Sequence, residues 1–219
     1  MKSQYHAQTH QLYKSLRLLK AQEVKMILYR TTKEGVREEV LDPSLDDLKD
    51  SVILSGSFNP LHEGHVKLLE HSLVQTGRKQ IIFELAIVNA DKGAIDDQLI
   101  ERRLNQFESR GLNLLITTQP YFYKKALMLP DQHFALGYDT FVRLLDLKYY
   151  EGSSDKLLEI LGWLDAVGTK FLVAGRLNQA KNLFEYLDED ALNIVPMKYL
   201  HMFQAVKDFR VDLSSTELR

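Results

Sequence analysis

Residues 51–72, SVILSGSFNPLHEGHVKLLEHS, constrain the chain more than any other stretch, because they read as a strand, a turn and a helix start in immediate succession. Val52, Ile53 and Leu54 form the apolar strand, Gly-Ser-Phe-Asn-Pro the turn, and a helix beginning near Glu63 carries Val66, Leu68, Leu69 and Leu73. The amides of such a turn and of a helix's first turn have no internal partners, and the helix dipole adds partial positive charge there. The segment is therefore expected to hold an anion, and a polyphosphate suits it best.

His62 and His65 stand three residues apart at that helix start, so both imidazoles can face one anion. Gly64 between them lets a phosphate or ribose approach the backbone. In-line attack by one phosphate on the α-phosphate of a triphosphate needs alignment and donors for the developing charge, not a covalent intermediate. Two histidines can supply those donors, although His-x-x-His alone also occurs as a surface pair or in a metal site. A second phosphate-handling segment, DLSSTELR, closes the sequence.

GSFNPLHEGH resembles the signature of the nucleotidylyltransferase superfamily, a Gly-Ser/Thr-Phe-x-Pro turn leading into His-x-Gly-His, and SSTELR resembles that superfamily's closing Ser-Ser-Thr-x-x-Arg. Within it, residues 50–219 are most similar to the nicotinamide and nicotinate mononucleotide adenylyltransferases, in their divergent eukaryotic branch. IVNADKGAID, FALGYDTFVRLL and FLVAGR match internal segments of that family in the right order. The resemblance implies AMP transfer from ATP to a pyridine mononucleotide, with Mg²⁺ arriving on ATP and held by nucleotide oxygens and water rather than by protein ligands. ATP and the mononucleotide are the expected partners. A different phosphorylated acceptor, or a nucleotide-binding interaction module with weak or lost transfer, are the alternative readings.

The same resemblance implies roles for individual residues. His62 and His65 bind the triphosphate and stabilise the transition state, with Lys92 and Arg219 as further catalytic cations. Gly56, Ser57 and Phe58 meet the nucleotide through their backbone, and Gly137 and Asp139 meet adenosine, where a carboxylate can accept from ribose hydroxyls. Arg176 is a weaker phosphate contact. Ser214, Ser215 and Thr216 present hydroxyls and helix-start amides to the outer phosphates, next to the forked guanidinium of Arg219. On the acceptor side Asn89, Lys92, Phe122 and Lys125 are the candidates, with Tyr121 and Tyr123 as aromatic walls. Trp163, at no position that matches the family's ring-stacking residues, is expected in the core. The carboxylate at Arg219 is expected beside the triphosphate, which it would repel.

From residue 51 onward, strand and helix character alternate, the pattern of a parallel sheet with crossover helices, so a Rossmann-like α/β fold is expected. Strands are expected at 51–55, 80–88, 113–116, 133–136 and 171–174, and helices at 63–75, 97–108, 121–127, 139–147 and 155–167. Gly56, Asn89, Thr117, Gly137 and Gly175 each follow such a strand, so they converge on one sheet edge. Residues 1–49 lie outside the resemblance and read as an extension, a helix over 4–20 and a hairpin of 25–30 with 36–41, most simply covering a sheet edge; a partner or oligomer surface is the other reading. Residues 50–219 are expected to form the nucleotidylyltransferase domain.

The 219 residues include no cysteine, which removes disulfides, thiolate catalysis and cysteine-bound zinc from consideration. Residues 1–20 carry polar groups throughout, unlike a secretory signal, and no apolar run approaches a membrane span. A cytoplasmic, or also nuclear, location is expected. A net charge of −2 gives no global reason to expect nucleic acid, no membrane partner is expected, and a homo-oligomer is left open.

Overall fold

In the computed structural model, residues 2–32, 36–89, 93–178, 182–207 and 209 are described. In chain order, α1 (Lys2–Lys20), β1 (Met26–Thr31), β2 (Arg37–Leu41) and the single turn α2 (Leu45–Leu48) precede the signature strand β3 (Ser51–Ser55). Next come α3 (Glu63–Thr76), β4 (Gln80–Ala86), the short pair β5 (Val88–Asn89) and β6 (Gly93–Ala94), α4 (Asp97–Glu108), β7 (Leu114–Thr117) and α5 (Phe122–Met128). These are followed by β8 (His133–Gly137), α6 (Tyr138–Leu144), a 3-10 turn at Leu147–Tyr150, α7 (Ser154–Ala166) and β9 (Lys170–Ala174). The antiparallel pair β10 (Arg176–Asn178) and β11 (Leu183–Glu185), α8 (Glu189–Leu192), a second 3-10 turn at Met197–Met202 and β12 (Phe203–Ala205) complete the described chain.

The apolar strands assemble into one eight-stranded sheet in the order β12-β9-β8-β3-β4-β7-β1-β2. From β12 through β7 all neighbours are parallel, whereas β1 and β2 join antiparallel at the β7 edge, with Ile27 opposite Ile116 and Leu28 opposite Leu115. The N-terminal hairpin thus continues the sheet and covers an edge that β7 would otherwise present. The parallel part is the doubly wound order of a Rossmann-like fold: the chain moves outward from β3 through β4 and β7, then returns to β8 on the other side of β3. Ligand crevices form where strand order reverses, here between the C-terminal ends of β3 and β8.

Both faces of this sheet are buried, so its strands are apolar without alternation. Val52, Leu54, Phe83 and Leu85 pack with Leu12, Leu16, Leu69 and Leu104 of α1, α3 and α4. Ile53, Ile82, Phe134 and Leu136 pack on the opposite side with Ala126, Phe141, Ile160 and Leu164 of α5, α6 and α7. Burying two such layers supplies the main stabilisation, about 25 cal/mol per Å² of apolar surface.

Several elements depart from the expected ones. The strand expected over 80–88 ends at Ala86, after which Val88 and Asn89 turn away to pair with Gly93 and Ala94. The helix expected over 139–147 stops at Leu144, because Asp146 accepts from the amide of Lys148 and starts a 3-10 turn instead. Trp163 is not a core residue: it is 48% exposed, because the buried stripe of α7 runs through Leu157, Ile160, Leu161 and Leu164 and position 163 falls off it. Strand β12, which extends the sheet beyond β9, had no counterpart among the expected strands.

Candidate active site

The helix α3 begins at Glu63, and His62 occupies the N-cap position in extended conformation. Its imidazole and that of His65 are stacked, with ring centroids 3.6 Å apart and planes 21° from parallel. The backbone N–H of His62 donates to Nδ1 of His65 at 3.3 Å, which leaves the proton of the neutral His65 ring on Nε2 as a donor. Burial, and secondarily the neighbouring His62, holds His65 down to about 3. His62 is also lowered, by burial first and then by Arg110. Both rings are therefore neutral donors near pH 7. His62 Nδ1 and the Ser55 hydroxyl at the end of β3 are buried without a hydrogen-bond partner. Two unpartnered polar groups thus stand at one strand–helix junction, available to a ligand.

The turn that sets this geometry is built around Phe58. Its ring is fully buried and meets His65 at 5.2 Å, Phe83 at 5.5 Å and Phe107 at 5.2 Å, each edge to face. Gly56 is needed for that placement, because a Cβ there would lie 2.8 Å from Phe58 Cε1. Gln106 of α4 fastens the same turn: its Oε1 accepts from the amide of Leu61 at 2.8 Å and its Nε2 donates to the Phe58 carbonyl at 3.3 Å. Gly64 is buried in the first turn of α3.

Beside this junction lies a cavity of about 790 Å³, large enough for a nucleotide-sized ligand. Ser55, Gly56, Ser57 and Asn59 form one wall. Asp96, Leu99 and Arg103 of the α4 region, Thr140 and Arg143 of α6, and Tyr149 and Tyr150 contribute further. Tyr121, the residue before α5, and Phe122, Tyr123 and Lys125 within it line the cavity as well. Lys125 is not a free surface cation: its Nζ lies 2.8 Å from Oε2 of Glu84, whose side chain is completely buried. Thr117 donates to the other oxygen of Glu84 at 2.5 Å. Phe122 is partly buried, with its ring edge to face on Phe134 at 5.2 Å, so it combines lining and packing roles.

Across the switch crevice, Gly137 precedes α6 and nothing within 4 Å would meet a Cβ there, leaving open space beside its backbone. Asp139 in the first turn of α6 is held by an ion pair with Arg176, which also approaches Glu185 at 3.7 Å. The two residues assigned from sequence to adenosine and phosphate thus meet each other in this structure. Gly175 permits that arrangement, because a Cβ would stand 2.6 Å from the Phe184 ring that folds back from β11.

Of the residues expected at the site, Gly56, Ser57, Phe122 and Lys125 line the cavity; Phe58, His62 and His65 lie in the turn and helix start that follow its β3 wall, and Gly137 at the end of β8, with Asp139 and Arg176 after β8 and β9, do not line it. Asn89 lies in β5. Lys92 and the closing residues Ser214, Ser215, Thr216 and Arg219 lie outside the described residues. Phe209, near that end, stands edge-on to His71 of α3 at 5.6 Å. Sequence reading missed Gln106, Glu84 and the Tyr149–Tyr150 wall. Glu84 had a visible signal, a carboxylate inside the apolar strand IIFELA.

No protein-family model matches the chain. A Schizosaccharomyces pombe protein provisionally named a nicotinamide mononucleotide adenylyltransferase is 30% identical over 115 residues. The chain resembles the mononucleotide adenylyltransferases. The match takes in 47% of this chain and 45% of that relative, so the chain spans about half the length of the curated protein it resembles. The solved structure of Plasmodium falciparum nicotinic acid mononucleotide adenylyltransferase complexed with NaAD aligns with a TM-score of 0.47 at 17% identity, over 76% of this chain and 80% of that one. The complex of the same protein with APC aligns with a TM-score of 0.44 at 16% identity over the same shares.

Proposed function

We propose that this chain transfers AMP from ATP to nicotinamide or nicotinate mononucleotide, giving NAD or its deamido form and pyrophosphate. The observation that carries the reading is the stacked, neutral His62–His65 pair at the N-terminus of α3, with an orphaned ring nitrogen, beside a nucleotide-sized cavity at the switch point of the sheet. Its chain order, strand to turn to His-x-Gly-His, matches the resemblance, and the adenylyltransferase named for the yeast relative supports it from outside the site.

In this mechanism an oxygen of the acceptor phosphate attacks the α-phosphorus of ATP in line. A new P–O bond forms, the bond from the α-phosphorus to the bridging oxygen of the β-phosphate breaks, and its electron pair leaves on pyrophosphate. The protein aligns the two phosphates and places donors where charge develops. Nε2–H of His65 supplies one donor, the ring of His62 a second, and the dipole of α3 favours the charge that develops at its start. Gly56 and Ser57 bring the cavity wall up to the nucleotide, and the aromatic residues beside Tyr121 exclude water from the acceptor ring.

A Mg²⁺ arriving with ATP would meet Asp96, a carboxylate on the cavity wall whose hard oxygens suit that ion directly or through water. When bound to the phosphates, Mg²⁺ neutralises the charge of the leaving pyrophosphate.

The test is product analysis of purified protein with Mg-ATP and three acceptors: nicotinamide mononucleotide, nicotinate mononucleotide and phosphopantetheine. A pyridine dinucleotide formed one for one with pyrophosphate supports the proposal. Product from phosphopantetheine alone keeps the chemistry and overturns the acceptor, and ATP binding with no pyrophosphate from any acceptor favours an interaction module.

A further inference from the structure

The part of the cavity wall formed by α5 holds a charge arrangement that the mechanism proposed above does not use. Glu84 sits in the middle of β4 with no exposed surface, and Lys125, near the end of α5, is 8% exposed and lines the cavity. Lys125 Nζ gives one hydrogen bond to Oε2 of Glu84 at 2.8 Å, and Thr117 fills Oε1 at 2.5 Å. An ionised carboxylate is kept in an apolar interior only when it is paired and bonded, and here both oxygens are. An ammonium carries three donors, so at least one more can be turned toward a ligand in the cavity. Around it stand Tyr121, Phe122, Tyr123 and Tyr150, flat rings suited to an aromatic heterocycle.

We propose that the Glu84–Lys125–Thr117 cluster reads the substituent on the acceptor's ring and selects an uncharged carbonyl group, a carboxamide, over a carboxylate. This rests on the function proposed above and goes beyond it by naming the ring substituent. The cluster is neutral in sum, because the single ammonium is already matched by Glu84. A carboxamide oxygen takes a free N–H of Lys125 without adding charge. A carboxylate would put a second anion against one shared cation in a low-dielectric wall, where like charges repel and neither is fully compensated. Lys125 is the specificity residue and Glu84 the positioning residue that cancels its charge.

The experiment compares kcat/KM for nicotinamide and nicotinate mononucleotides in the wild type, in Glu84→Gln and in the double variant Glu84→Leu/Lys125→Met, an apolar replacement of a buried pair that folds tolerate well. The wild type is expected to favour the carboxamide by at least about tenfold, the scale of a mismatched buried polar contact. Glu84→Gln, with the ammonium uncompensated, moves that ratio at least about tenfold toward the carboxylate, and the double variant brings it toward unity. A wild type that prefers the carboxylate overturns the proposal, as does a ratio in Glu84→Gln unchanged from the wild type. If Glu84→Gln does not fold, the double variant decides by the same comparison, and a wild-type ratio there overturns the proposal. Calorimetric binding of the two mononucleotides separates the two readings: preference for the carboxamide without turnover keeps this inference and removes transfer, whereas binding of neither removes this inference too.

Discussion

On the β3 side of the cavity, the turn from Gly56 to His62 is held by ring against ring and by two bonds from the Gln106 amide; no ion pair fastens it among the described residues. On the β4–β7 side, the wall rests on a buried ion pair and a threonine hydroxyl. On the proposed function, the difference follows from what each side would meet. A triphosphate brings its own charge and would want fixed neutral donors, and the two histidines are held uncharged by burial. A ring substituent differs between acceptors by a single charge, and a compensated ion pair is sensitive to one added charge. The proposals thus assign geometry to one wall and charge selectivity to the other.

The sharpest way to break that contrast is His65→Ala. Loss of a preorganised donor is expected to lower kcat by at least about a hundredfold with either mononucleotide and leave the acceptor ratio unchanged. Steady-state kinetics with a thermal melt check it, and an equal loss of stability would reassign His65 to packing against Phe58. Gly56→Ala comes next: its Cβ would displace the Phe58 ring, so a destabilisation of about 1–3 kcal/mol, measured by denaturant titration, is expected together with weaker ATP binding.

Gln106→Ala sharpens the account of how the turn is held. Two bonds of about 0.5–1.5 kcal/mol each anchor Leu61 and Phe58, so kcat/KM for ATP should fall about tenfold. Gln106→Glu keeps the acceptor for Leu61 and should recover part of it; no recovery would show that the Phe58 bond matters more. At the small end, Glu38→Ala in β2 removes an exposed pair with Arg30 and is expected to leave kcat unchanged. A large loss there would give the N-terminal hairpin a part in the site.

Much of this was legible in the sequence where local chemistry decides structure. Strand β3, the start of α3 at Glu63 and the whole of α4 were read from apolar periodicity and a polar helix start. The parallel pairing of the central strands was expected from the alternation of strands and helices; their order was not. What escaped depends on contacts between distant residues. Nothing in the neighbourhood of Gln106 says that its amide reaches a turn more than forty residues earlier. Trp163 was misread because an aromatic on an amphipathic helix invites a core assignment, and only the observed stripe shows that it lies outside. The pairing of Asp139 with Arg176 likewise joins two strand exits that the sheet, not the sequence, makes neighbours. Glu84 was visible as a charge in an apolar strand, but its partners Thr117 and Lys125 come from β7 and α5.

The most direct test of the central claim, that a neutral histidine pair receives the triphosphate, is calorimetric titration of Mg-ATP at about pH 7 in buffers of different ionisation enthalpy. His62 and His65 are depressed below the usual imidazole range by burial, and His65 Nδ1 already accepts from the His62 amide. Binding to these neutral donors should therefore take up no protons near pH 7, and the affinity should fall in the double variant His62→Ala/His65→Ala. Proton uptake that disappears in the double variant, or an affinity unchanged there, would contradict the account.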